Sequence, residues 1–202
     1  MTLYASNSQI KAALGITDTD RDALISMAGS AASELIDIYT GRTFATSGTV
    51  TRYFAPDDSW HLPVDDLAGT AITVESSTSA NGTYDITWTA SDYQLEPLNG
   101  RLNGIPWPYT SLRAVGSYSW PVAAGEATVR VTGVYGWTSV PAVVTEAAVL
   151  QSSRLFMRFQ SPLGVAGGNE FGAMRVTRSL DPDVAVLLAD FREGSRAAGG
   201  IA

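Results

Sequence analysis

Cysteine is absent from the 202-residue chain, and histidine and lysine occur once each, as His61 and Lys11. The missing thiols exclude disulfides, thiolate nucleophiles and cysteine-based zinc or iron–sulfur sites. A single histidine excludes nitrogen-rich metal centres and leaves His61 as the one candidate base for a serine–histidine–acid triad. No Gly-x-Ser-x-Gly elbow presents a serine to it. His61 sits in Ser59-Trp60-His61-Leu62-Pro63 and reads as a surface or turn residue. No apolar run approaches the roughly 18 residues of a membrane span. The first residues lack a basic stretch followed by an apolar core, so no signal peptide is expected. The expected location is intracellular or particle-bound.

Positive charge is also scarce. The net charge is −7, with twelve arginines beside Lys11. A protein that grips DNA through phosphates needs clustered bases, and this sequence has none. The balance is uneven along the chain. Residues 1–47 carry five acids and three bases, 48–138 nine and four, and 139–202 six and six. The hydrophobic fraction of 45% against a charged fraction of 16% is that of a folded chain.

The ends read as helical. Ser6 with Gln9 fits a capping box, and Gly15 fits a C-terminal stop. After Asp18, Leu24, Met27, Ala28, Ala31, Leu35 and Ile38 recur at three- and four-residue steps, which predicts one apolar helix face, closed by Gly41. Pro141 suits a first helical position, and Val144, Ala147, Ala148, Gln151, Leu155 and Phe159 mark the next face. Asp181-Pro182 is a cap followed by a first-turn proline, and it starts a helix through Val184, Leu187, Leu188 and Phe191. The tail from Gly194 is small and polar and is expected to fray.

The middle changes to period two. Residues 50–54, 71–74, 84–88 and 128–132 read as strands, and Leu95 to Tyr109 as a loop of several turns. Met174 to Arg178 reads as a short strand. These patterns predict an α+β protein, a helical core from the N- and C-terminal helices with an inserted antiparallel β domain. The expected boundaries are 1–47, 48–138 and 139–202.

Three motifs invite chemistry. Asp57-Asp58 and Asp65-Asp66 flank the histidine turn; they read as solvated loop acids, with weak calcium binding as the alternative. Gly164 to Gly168 lacks the Lys-Ser/Thr of a phosphate loop and follows a helix, so it reads as a connection. Trp60, Trp88, Trp107, Tyr109, Tyr118, Trp120, Tyr135 and Trp137 read as core or subunit-contact aromatics; a carbohydrate- or host-binding platform is the competing function. No cofactor is expected and no enzyme activity is assigned.

The ends also carry a resemblance. Gly15-Ile16-Thr17-Asp18 between two helices, and the helix ending Tyr39-Thr40-Gly41-Arg42-Thr43-Phe44, resemble the start of the head–tail connector (adaptor) proteins of long-tailed bacteriophages. Val140-Pro141-Ala142, Ser161-Pro162-Leu163-Gly164-Val165, Phe171-Gly172 and Arg178-Ser179-Leu180-Asp181-Pro182-Asp183-Val184 are similar to the longer adaptors of actinobacterial phages. The resemblance covers the two ends, roughly half of the chain. It implies a ring, typically of twelve copies, in the virion neck, made in the host cytoplasm. Its implied partners are the portal protein and a tail-side stopper or neck protein, and DNA passes through its lumen without specific binding. No membrane partner is implied. In that setting Leu24, Met27, Leu35, Ile38, Leu155 and Phe159 are candidates for packing the ring's core. Arg175, Arg178, Phe191, Arg192 and Arg196 are candidates for docking on the portal. Removing residues 192–202 is expected to weaken portal attachment and to spare the fold.

Overall fold

The computed structural model describes residues 2–79, 81–102, 104–160, 165–166, 174–175 and 180–193. The chain forms two compact units, one of residues 1–44 with 140–202, the other of residues 45–139. Helices and antiparallel sheets make the fold α+β.

In the first unit, helix α1 (Asn7–Leu14) begins on a full capping box. The Ser6 hydroxyl accepts the Gln9 N–H at 3.3 Å, and the Gln9 side chain accepts the Ser6 N–H at 2.8 Å. Two of the helix's unpaired donors are satisfied in this way. Helix α2 (Asp22–Thr40) ends at Gly41 in the left-handed region. Helix α3 (Ala142–Gln160) starts directly after Pro141. Asp181 caps α4 (Pro182–Leu188) by accepting the Asp183 N–H at 3.0 Å, and a 3-10 turn (Ala189–Phe191) continues it. Helices α1, α2, α3 and α4 pack on one another within this unit.

Apart from Ala28, the buried face of α2 differs from the expected one. Ile25, Ala28, Gly29, Ala32, Ser33 and Ile36 face inward, whereas Leu24, Met27 and Ile38 are exposed and Leu35 is half-buried. The physical reason is close packing. A Cβ on Gly29 would lie 3.2 Å from Ile10 Cδ1 and 3.4 Å from Leu3 Cδ2, so small residues let α1 and the N-terminal segment approach. Counting large apolar residues picks the neighbouring stripe instead. On α3, Val144, Ala147, Ala148 and Gln151 are buried as expected, but Phe156 closes the face, Leu155 is half-buried and Phe159 is exposed.

In the second unit the strands are β1 (Thr49–Phe54), β2 (His61–Leu67), β3 (Thr73–Ser76), β4 (Ile86–Trp88), β5 (Tyr93–Glu96), β6 (Arg101–Leu102), β7 (Ile105–Pro106), β8 (Tyr109–Ala114) and β9 (Val129–Val134). One sheet runs β1-β9-β3-β4 and another β2-β8-β5, both antiparallel, with β6-β7 a small hairpin. The two larger sheets meet at a Leu67–Tyr135 bridge. There the Ala68 N–H donates to Val134 O at 2.9 Å and the Gly136 N–H to Asp66 O at 2.7 Å. Leu62, Val74, Leu112, Val129, Val131 and Tyr135 form the centre of their shared core. Trp88 stacks on Trp120 at its rim, with centroids 3.9 Å apart.

Strand β2 replaces the expected histidine turn, and the expected loop from Leu95 to Tyr109 holds the end of β5, the β6-β7 hairpin and the start of β8. Strand β2 carries Pro63, Asp65 and Asp66, which mask it in sequence. It lies at a sheet edge, where proline is tolerated, and its register with β8 shifts between Pro63 and Leu67. In the first unit a short ribbon pairs β10 (Val165–Ala166) with β11 (Met174–Arg175). The rest of the expected strand through Arg178 lies outside the described residues.

Candidate assembly surface

The groups that invited chemistry are engaged in structural roles. His61 Nδ1 lies 3.1 Å from Asp57 Oδ2 on the protein surface. Asp58 accepts the Trp60 and His61 N–H groups at 2.6 and 2.8 Å, and these backbone bonds hold its carboxyl below the ordinary range. Asp65 pairs with Arg52 at 2.6 Å, and Asp66 accepts the Trp137 indole N–H at 3.0 Å. Both belong to β2, not to a loop. Among the described residues, no group of three or more His, Asp or Glu side chains is placed to hold a metal ion. Of the glycine-rich segment, only Val165 and Ala166 are described.

The aromatic platform is mostly interior. Trp88, Trp107, Trp120, Tyr135 and Trp137 are buried, and only Trp60 and Tyr118 among the eight are well exposed. Trp107 and Trp137 meet edge to face at 4.7 Å. Such rings fill a core rather than offer a flat stacking surface.

The helical unit is held by two polar knots. Tyr4 Oη donates to the Asp37 carboxylate and accepts the Phe44 N–H at 3.0 Å, while the Tyr4 N–H donates to Ser33 Oγ at 3.1 Å. Burial pushes both the Tyr4 hydroxyl and the Asp37 carboxyl up from their ordinary values. The second knot is C-terminal. Arg42 Nε donates to Phe191 O at 2.9 Å, the Glu193 N–H donates to Thr40 O at 2.7 Å, and Arg192 lies over the Tyr39 ring at 5.2 Å.

This second knot revises the docking candidates. Phe191 is buried against Phe44, with centroids 5.8 Å apart, so it is a core residue. Arg192 and Glu193 are tied to α2 and the residues just after it. Arg175 lies in β11; Arg178 and Arg196 lie outside the described residues. The ring-core candidates divide likewise: Leu35 and Leu155 are half-buried, while Leu24, Met27, Ile38 and Phe159 face solvent.

Those exposed residues belong to an unusual surface. Leu24 is 39% exposed, Met27 59% and Ile38 72% on α2; Val143 is 37%, Leu150 44% and Met157 52% on α3. Sequence reading missed the α3 residues. Their signal was available in the seven-residue spacing of Val143, Leu150 and Met157, which places them on one stripe. Isolated exposed apolar residues are ordinary; contact surfaces are marked by contiguous patches of roughly several hundred Å². No helix among the described residues is long and apolar enough to cross a membrane.

No protein-family description matches this chain by sequence, and no curated protein matches it. Solved structures do. A chain from the neck of an empty GTA (gene transfer agent) particle, computed with C6 symmetry, is similar at 15% identity and a TM-score of 0.54, over 94% of this chain and 89% of that one. A chain from the neck of a native GTA particle, computed with C12 symmetry, is similar at 15% identity and a TM-score of 0.45, over 95% of each. The first likeness extends across both units, and this chain shares its fold with a chain of the GTA-particle neck.

Proposed function

We propose that the chain is a structural neck protein of a phage-like particle. In this reading it is a head-to-tail adaptor of the actinobacterial-phage type. Twelve copies form a ring between the portal and a tail-side stopper or neck protein, and DNA passes through the lumen. The observation that carries the reading is the likeness of fold, over nearly the whole chain, to a GTA neck protein. The sequence resemblance at the two ends points to the same role independently. The charge agrees with it. A net charge of −7 without a basic cluster suits a wall past which DNA slides, because phosphate-gripping bases would retard it.

The test is the mass of the full chain alone and mixed with the portal protein of the same particle. A twelvefold complex with portal supports the reading. A chain that stays monomeric in both samples refutes it. Portal docking is assigned to the 161–180 segment and the tail. Deleting residues 194–202 spares the Glu193–Thr40 bond. The truncated chain should keep its helical circular dichroism and lose portal binding at least about tenfold. Unchanged binding would remove the tail from the docking assignment.

A further inference from the structure

The sequence holds three Asn-Gly pairs, Asn81-Gly82, Asn99-Gly100 and Asn103-Gly104. An asparagine followed by glycine can modify itself. The glycine nitrogen attacks the side-chain carbonyl carbon, and no Cβ on the second residue blocks its approach. In a folded chain the reaction depends on whether that N–H and the asparagine ψ are held. At Asn99 both are held. The Gly100 N–H donates to Pro97 O at 3.1 Å, and Gly100 O accepts the Trp107 N–H at 2.8 Å. Asn99 has φ 61° and ψ 16°. That ψ sets the Gly100 nitrogen beside the Asn99 nitrogen and away from its Cβ, so ring closure requires a rotation that breaks the turn. Asn103 lies outside the described residues.

Asn81 differs on each count. Asn81, Gly82 and Thr83 are exposed and lie between β3 and β4. Gly82 has φ +81° and nothing within 4 Å of an added Cβ. Among the described residues its N–H donates to no group. Asn81 Oδ1 accepts the Thr83 N–H at 3.0 Å. This turn folds the carboxamide back across the Gly82 peptide, and the donated hydrogen bond draws electrons from the carbon to be attacked.

We propose that Asn81 is a site of spontaneous deamidation in the folded protein, and that Asn99 is shielded from it. The Gly82 nitrogen gives up its proton to solvent base and bonds to Asn81 Cγ. The bond from Cγ to the side-chain nitrogen breaks, and that nitrogen takes a proton from water and leaves as ammonia. A five-membered succinimide remains. Water then opens the ring at one carbonyl or the other. The products are aspartate, with the original backbone, and isoaspartate, whose backbone runs through the former side chain and is one methylene longer. Water is the sole co-reactant, and the reaction is independent of ring assembly. Either product adds one negative charge to the −7 of the chain. Aspartate keeps the turn, because a carboxylate oxygen accepts the Thr83 N–H where the amide oxygen did. Tyr84 Oη, which donates to Ala127 O at 2.7 Å, anchors the chain just beyond it.

The test follows the full chain in mildly alkaline buffer, native and in urea. Chymotryptic peptides are read by mass spectrometry, and isoaspartate is counted with an isoaspartate-specific methyltransferase. In the native chain Asn81 should convert at least about tenfold faster than Asn99, whose reaction must first break two backbone hydrogen bonds. In urea the two rates should converge, since the turn that shields Asn99 is gone. Gly82→Ala, checked for wild-type circular dichroism, should slow conversion at Asn81 at least about tenfold, because the new methyl crowds the attacking nitrogen. It should leave Asn99 unchanged. An Asn81 that stays an amide in the native chain overturns the proposal, and so do equal native rates at the two sites. Conversion at Asn81 that Gly82→Ala does not slow also overturns it, since the amide would then be hydrolysed directly and not through the ring.

Discussion

Replacing Gly136 by alanine should separate two costs that usually arrive together. Gly136 follows β9 with φ +97°, and its N–H donates to Asp66 O where the two sheets meet. A Cβ there would lie 1.9 Å from Ala45 O and 2.9 Å from Ala45 C. The positive φ costs an L-residue about 1–2 kcal/mol. Moving backbone out of the way of the methyl adds about 1–3 kcal/mol, as for overpacked cores. The stiffer unfolded chain returns roughly 0.4–1 kcal/mol. The net loss is about 2–4 kcal/mol. Gly125→Ala is the control. Gly125 has φ +86° but nothing within 4 Å of an added Cβ, so only the conformational part remains, about 1 kcal/mol. All five tryptophans lie within residues 45–139, so tryptophan fluorescence during urea unfolding reports the β unit specifically. With a slope near 2 kcal/mol per molar urea, Gly136→Ala should lower the midpoint by about 1–2 M and Gly125→Ala by about 0.5 M. Equal shifts for the two variants, or a loss below about 1 kcal/mol at Gly136, would refute the steric argument.

Two further outcomes follow from the polar contacts. Tyr4→Phe removes the hydroxyl that serves both Asp37 and the Phe44 N–H, and should cost about 1–3 kcal/mol in thermal or urea unfolding. The Asp37 carboxyl is already raised by burial. It therefore favours folding most below its ordinary unfolded value, a contribution lost as pH rises through the raised folded value. Because the Tyr4 bond lowers that value, its loss should move the Asp37 titration, read by carboxyl NMR, further upward. Glu75 behaves in the opposite sense. Its bonds from Arg130 Nε and Nη2, at 2.7 and 2.9 Å, hold its carboxyl below the ordinary glutamate value. Its contribution is complete above the unfolded value and is lost as pH falls through the folded one. Arg130→Gln should return the Glu75 titration upward, and an unmoved midpoint would contradict the assignment.

The legible parts of the sequence were those where one residue type does one job. Ser6 with Gln9, Gly15, Gly41 and Asp181-Pro182 mark helix ends because orphan backbone groups have few ways to be satisfied. Strands β1, β3, β4 and β9 showed because their β-branched residues alternate. Strand β2 did not, because its two aspartates are compensated by Arg52 and by the Trp137 indole, partners far apart in sequence. The inward face of α2 was hidden for a different reason. Packing there is set by how near another backbone can come, and Gly29 and Ala32 permit that approach without raising the hydrophobic signal. The large residues that did raise it face outward. Periodicity found a real stripe on α2 but could not say on which side of the helix the rest of the unit lies.

The pinch at the base of the β unit bears on the order of folding. Ser47 and Tyr135 are joined by the Ser47 N–H to Tyr135 O bond at 2.8 Å and the Tyr135 N–H to Ser47 Oγ bond at 2.9 Å. Helices α2 and α3 must find each other across this intervening stretch, and loop closure costs more as the loop lengthens. Once the β unit has formed, the stretch behaves as a tether of a few residues on either side of the pinch. Shrinking a loop about tenfold saves roughly 2 kcal/mol of closure entropy, on the logarithmic dependence of that cost on length. With the β unit folded, the two helices are therefore joined by a short tether and not by a long loop.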